Sequence, residues 1–121
     1  MSETEKPVDY KSYLGKALSE LIILSALNPD KRYSAYQLIK TIKEESIEKI
    51  SFLAGTIYPQ MQNLEKKGFL QKHIVPTPSR SEGVIRQKSE YSLTLKGKEV
   101  LKKRKEEWIE LQKIINHLID F

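Results

Sequence analysis

Cysteine is absent from the 121 residues, which excludes disulfides, thiolate-held zinc and cysteine nucleophiles, and fits a reducing compartment. Long apolar runs are absent as well. The longest, Leu21-Ile22-Ile23-Leu24, is far too short to span a bilayer. The opening stretch MSETEKPVD is acidic and polar and makes no signal peptide, so a cytoplasmic protein without a membrane partner is expected. Histidine is scarce. His73 and His117 stand apart from each other and from any carboxylate pair of ligand spacing, so neither a metal nor another cofactor is expected. No glycine-rich phosphate loop, Ser-His-Asp arrangement or paired acid constellation is visible, and the chain does not read as an enzyme.

What the chain does contain is charge. Charged residues make up 31% of it, with a net charge of +5. That favours solubility and, weakly, a polyanionic partner. The length is that of one domain with a small core.

Met1 to Asp9 lacks apolar periodicity and is expected to be a flexible tail. A first helix is expected from Tyr10 to Leu27. Its later part is apolar on nearly all sides, which places it in the middle of the fold, and Asn28-Pro29-Asp30 ends it. Ser34 reads as the N-cap of a second helix, Ala35 to Glu45, with Ala35, Leu38, Ile39 and Ile42 facing the core. Ser46 to Phe52 reads as a connector in which Ile47 and Ile50 pack.

A third helix begins between Ala54 and Thr56. Thr56 as its N-cap would put Pro59 in the first turn, where a missing N–H costs little. Ile57, Met61 and Leu64 fall at i, i+4 and i+7 and form one apolar stripe. Tyr58, Gln62, Asn63 and Lys66 lie away from it. Gly68 suits the position just past the helix end, after Lys66 and Lys67. Phe69 to Val75 and Lys88 to Leu93 read as strands, with a long loop from Pro76 to Gln87 between them. Thr94 then caps a last helix, Leu95 to Ile119. Periodicity and breakers thus predict a mainly α fold with a small two-stranded antiparallel β wing. This is a winged helix-turn-helix over residues 10–94, followed by a long C-terminal dimerisation helix over 95–121.

The segment Gly55-Thr56-Ile57-Tyr58-Pro59 through Leu64-Glu65 to Gly68-Phe69-Leu70 resembles the GTIYPxxxxLExxGFL signature of the PadR-type winged-helix transcription regulators. Tyr33-Ser34-Ala35-Tyr36-Gln37-Leu38-Ile39-Lys40 is similar to that family's HGYELIK-like second helix, and Glu90-Tyr91-Ser92-Leu93-Thr94-Leu95-Lys96-Gly97 to its RKYYRLTxxG ending. The three blocks occur in the family's order across roughly Leu21 to Leu101. In the wing the chain departs from the family's frequent Gly-Gly-Arg-Lys run, having Gly83-Val84-Ile85-Arg86-Gln87-Lys88.

In the last helix, Leu101, Trp108, Leu111, Ile115 and Leu118 fall on heptad a/d-like positions, interrupted by Arg104; Ile114 and Phe121 extend the apolar side. So long a helix cannot bury that stripe on its own small domain, and a second copy is the simplest partner. Packing on the first helix of the same chain is the alternative. The resemblance implies dimerisation through this helix. A two-fold dimer presents two reading helices about one turn of DNA apart, so double-stranded DNA carrying an inverted repeat is the expected partner.

The candidate DNA-binding residues fall in three groups, each with a plainer alternative. On the third helix, Gln62 and Asn63 have the amide geometry for an adenine edge, and Thr56 and Tyr58 suit phosphates or a thymine methyl, with Lys66 adding charge; the alternative is a solvated helix face. In the wing, Arg80, Arg86 and Lys88 suit phosphate or minor-groove contact; the alternative is a polar loop. On the second helix, Tyr36 with Lys40 one turn on matches a family tyrosine at the DNA backbone; the alternative is a half-buried tyrosine beside the third helix. Trp108 is either packing or, as the resemblance implies, the stacking surface for a small aromatic effector, with Lys105, Ile109, Leu111 and Gln112 as neighbours. The chain therefore reads as a homodimeric repressor of PadR type. A dimeric winged-helix protein-interaction module without sequence-specific DNA binding, and a regulator without effector, remain the alternatives.

Overall fold

The computed structural model describes residues 14–15, 17–78 and 85–120. The expected tail, the start of the expected first helix, Arg80, the wing tip and Phe121 lie outside them. The elements run α1 (Ser19–Ala26), α2 (Ala35–Glu45), α3 (Ala54–Lys66), β1 (Leu70–Pro78), β2 (Ile85–Leu93) and α4 (Leu95–Ile119). This is the winged-helix order.

The expected first helix is interrupted at Leu18, and α1 is its later part. Leu14, Gly15 and Ala17 ahead of it are helical, but Leu18 (φ −100°, ψ 9°) leaves helical angles, although Leu18 N–H still reaches Leu14 O and Ile22 N–H reaches Leu18 O, both at 2.9 Å. Ile23 and Leu24 are fully buried, and α1 packs against both α2 and α4, the central place its apolar girth demands. Around it gather Leu38 and Ile42 of α2, Ile57, Met61 and Leu64 of α3, Leu70, Tyr91 and Leu93 of the ribbon, and Leu101 of α4.

Two helix ends use the same closure with different residues. At the end of α3, Phe69 N–H bonds Leu64 O and Gly68 N–H bonds Glu65 O (2.9 Å each), with Gly68 at φ 82°. At the end of α2, Glu48 N–H bonds Lys43 O (2.7 Å) and Ile47 N–H bonds Glu44 O (3.1 Å). The residue in the glycine place there is Ile47, at φ 54°. Left-handed angles cost a β-branched residue on the order of 1–2 kcal/mol. They also turn Ile47 outward, 80% exposed, so only Ile50 packs from the expected connector pair. Ile47→Gly is expected to raise stability by about 1 kcal/mol in a urea titration, since it relieves the angle and removes no packing.

Helix α3 starts at the early end of the expected range. Its N-cap is Leu53, which supplies no side-chain cap, and Thr56 lies inside the first turn. Pro59 therefore sits inside the helix and cannot donate to Gly55 O.

The ribbon is longer than expected and takes in Pro76 and Pro78. Tyr91 exchanges both backbone hydrogen bonds with Tyr33 (2.8 and 2.9 Å), so its N–H and C=O face away from β1, and Lys72↔Tyr91 is a non-hydrogen-bonded pair. Two and three such steps along the register, Pro76↔Gln87 and Pro78↔Ile85 are of the same kind. An N–H at either position would point out of the ribbon, so proline removes nothing from the ladder.

Burial, and next the Glu65 carboxylate and Tyr58, raise the pKa of the Tyr91 hydroxyl above its ordinary 10.0. The folded chain thus holds this proton more tightly than the unfolded one. Its contribution is intact below pH 10 and is lost as the pH climbs from there through the folded value. Tyr91→Phe is expected to flatten that alkaline fall in melting temperature, relative to the parent.

Candidate nucleic-acid interface

Helix α3 buries Ile57, Met61 and Leu64 and turns Gly55, Pro59, Gln62 and Lys66 directly away from them, with Thr56 and Asn63 on one flank and Tyr58 on the other. Thr56, Gln62, Asn63 and Lys66 are exposed, and Tyr58 is about half exposed (48%). None of these five side chains forms a hydrogen bond or ion pair with another described residue. The start of the helix is equally open. Its first N–H groups have no side-chain cap, whereas α2 begins with a full capping box, Gln37 N–H to Ser34 Oγ (3.2 Å) and Ser34 N–H to Gln37 Oε1 (2.9 Å). Such uncapped N–H groups beside a small residue suit an anion. The only acid on α3, Glu65, is half-buried and off the outward face.

Tyr36 is 75% exposed, which removes the half-buried alternative. Lys40 shares its ridge but lies 3.9 Å from Glu44, a carboxylate that partly offsets its charge. In the wing, Lys88 stands 3.9 Å from Glu90. Arg86 pairs with Thr77 in the ribbon, and Arg80 lies outside the described residues.

The exit of α3 is held by contacts that the sequence does not advertise. Thr94 Oγ1 donates to Gly68 O (2.6 Å) while accepting from Gly97 N–H (2.9 Å), and Thr94 N–H bonds Phe69 O (3.1 Å). Lys96 Nζ donates to Lys67 O (3.0 Å) and lies over the Phe69 ring. One cap residue thus joins the end of α3, the wing root and the start of α4.

Leu101 of the expected stripe belongs to the core of its own chain, so the free stripe begins at Trp108. Beyond it Leu111, Ile115 and Leu118 are exposed, joined by Ile109, Ile114 and Ile119. Trp108 is partly buried and lines two clefts. One, of about 370 Å³, lies between the region entering α1 and α4, with Leu18, Leu21, Glu107 and Leu111. The other is an open groove of about 1160 Å³ that includes Ile22, Tyr33, Ile50 and Lys105. Of the expected neighbours of Trp108, Leu111 and Lys105 line a cleft and Ile109 and Gln112 do not. Among the described residues, no helix is long and apolar enough to cross a membrane.

Solved structures share this architecture. A PadR family transcriptional regulator from Eggerthella lenta is 24% identical with a TM-score of 0.74, over 89% of this chain and 87% of that one. A transcriptional regulator from Clostridium thermocellum is 25% identical with a TM-score of 0.73, over 88% and 94%. Bacillus subtilis PadR, solved in complex with operator DNA, is 26% identical with a TM-score of 0.59; the match covers 71% of this chain and 45% of that one. No curated protein matches the sequence. The model of the transcriptional regulator PadR-like family matches residues 23–103, well over half the chain. The chain is a member of the PadR-like family of transcriptional regulators and not an enzyme.

Proposed function

We propose that this regulator is a cytoplasmic homodimeric repressor whose α3 helices enter successive major grooves of an inverted-repeat operator, with the wings on the flanks. The observation that carries the reading is α3 itself, an amphipathic helix whose polar face has no hydrogen-bond or ion-pair partner among the described residues while its apolar face, Ile57, Met61 and Leu64, lies in the core. Gln62 and Asn63 read base edges. Thr56, Tyr58, Lys66 and the uncapped N–H groups position the helix on phosphates, and Tyr36, Lys40, Arg80, Arg86 and Lys88 add backbone contacts. Residues 10–94 form the reading head and α4 the dimerisation element. Its exposed aliphatic face, from Trp108 to Ile119, is too apolar to remain in water. A small aromatic molecule stacked on Trp108 at that seam relieves repression by favouring a second angle between the heads.

Tyr58→Ala combined with Gln62→Ala tests the reading. Both side chains are exposed, so the melting temperature should stay within a few degrees of the parent. Affinity for the duplex upstream of the protein's own gene should fall by about 30-fold or more. Unchanged affinity would remove α3 from the interface.

A further inference from the structure

Glu20 of α1 holds two cations from distant parts of the chain. Its Oε2 lies 3.3 Å from Lys67 Nζ, at the C-cap of α3, and its Oε1 accepts from Arg104 Nε of α4 at 3.1 Å. The carboxylate is the least exposed of the three side chains, at 27% against 42% for Lys67 and 44% for Arg104. These are the only ion pairs among the described residues that join different elements; the other two lie within α2 and within β2. They are also where α1, α3 and α4 come under one control. Lys67 is anchored twice, since its carbonyl accepts from Lys96 Nζ. Glu20 and Arg104 both lie in the smaller cleft beside Trp108.

We propose that Glu20 is a positioning residue: it sets the angle of α3 against α4 by bridging Lys67 and Arg104. Its effect on DNA runs through that angle and not through contact with the duplex. Were Glu20 only a nearby negative charge, removing it would strengthen binding by lessening repulsion of phosphate. As a positioning group, removing it weakens binding to two half-sites, because the heads no longer hold their spacing. The pairs are partly exposed, so the effect is moderate and sensitive to salt.

The inference rests on α3 being the DNA-reading helix, and its test has one arm that needs no DNA. The chain has no cysteine, so Gln62→Cys and Lys113→Cys admit two spin labels, one on α3 and one on α4. Labelled chains diluted into an excess of unlabelled chains report the distance within one chain by pulsed electron resonance. The parent should give a narrow distribution that broadens at about 1 M NaCl, where the Debye length is about 3 Å. Glu20→Gln should be broad at all salt concentrations, and Arg104→Gln likewise. Arg104→Lys, which keeps the charge, should restore a narrow distribution. Separately, Glu20→Gln in the otherwise native chain should weaken binding to the upstream duplex about three- to tenfold. A Glu20→Gln distribution as narrow as the parent's, or a rise in affinity for the duplex, would overturn the proposal. Broadening in a protein that binds no DNA would retain the ionic bridge and dismiss the DNA reading.

Discussion

Leu111→Glu together with Ile115→Glu is expected to halve the particle mass in sedimentation and to weaken operator binding by roughly 10²–10⁴-fold in the same step. The two residues lie one turn apart on α4, both on the exposed side, 47% and 42% accessible in the single chain. Neither belongs to the buried core, whose last member on this helix is Leu101. Folding of the reading head should therefore survive, with a far-ultraviolet spectrum like the parent's. In the proposed dimer the two new carboxylates of each chain make four at the seam, each taken out of water beside like charges. A single head then binds without its partner's effective concentration. A variant that stays dimeric would move the interface off this stripe, and one that becomes monomeric yet binds as before would break the link between dimer and operator.

The second large effect concerns two glycines near helix starts, where the same substitution should act with opposite sign. A Cβ on Gly97 would overlap the carbonyl oxygen of Phe69, the atom that already accepts from Thr94 N–H. Backbone stands against backbone there, so no rotamer relieves the clash; α4 must lift off the wing root. Gly97→Ala is expected to destabilise by about 3 kcal/mol or more, lowering the melting temperature by about 10 °C. At Gly55 an added Cβ meets nothing within 4 Å. Gly55→Ala should leave stability unchanged or raise it by up to about 1 kcal/mol, the helix preference for alanine. Equal effects at the two positions in a calorimeter would refute the packing account of the α3–wing–α4 junction.

Much of this was legible in the chain because it rests on local chemistry. The Ser34 and Thr94 caps, the Ile57-Met61-Leu64 stripe and the Gly68 closure each depend on residues within a turn of one another. The outward face of α3 followed from the same periodicity. The misreadings have a common cause in partners that are remote or geometric. Pro76 and Pro78 break strands by composition, yet their place in the ribbon depends on hydrogen-bond parity set by Tyr33 on the far side of β2. Ile47 looks like core until the helix closure forces it into left-handed angles. Leu101 shares a heptad phase with Trp108, and only the distance along α4 separates the turn that meets the core from the turns that do not. Arg104, which interrupts that stripe, finds its reason in Glu20, 84 positions away. Neither residue type nor spacing carries that pairing.

Whether α3 reads DNA is decided by titrating the protein against the duplex upstream of its own gene and against a scrambled duplex of equal length, across a series of salt concentrations. Selective binding to the upstream duplex is expected, with log affinity falling linearly and steeply against log salt because several lysines and arginines meet phosphates. Equal, weak binding to both duplexes would contradict it, leaving a basic winged helix whose partner is a protein.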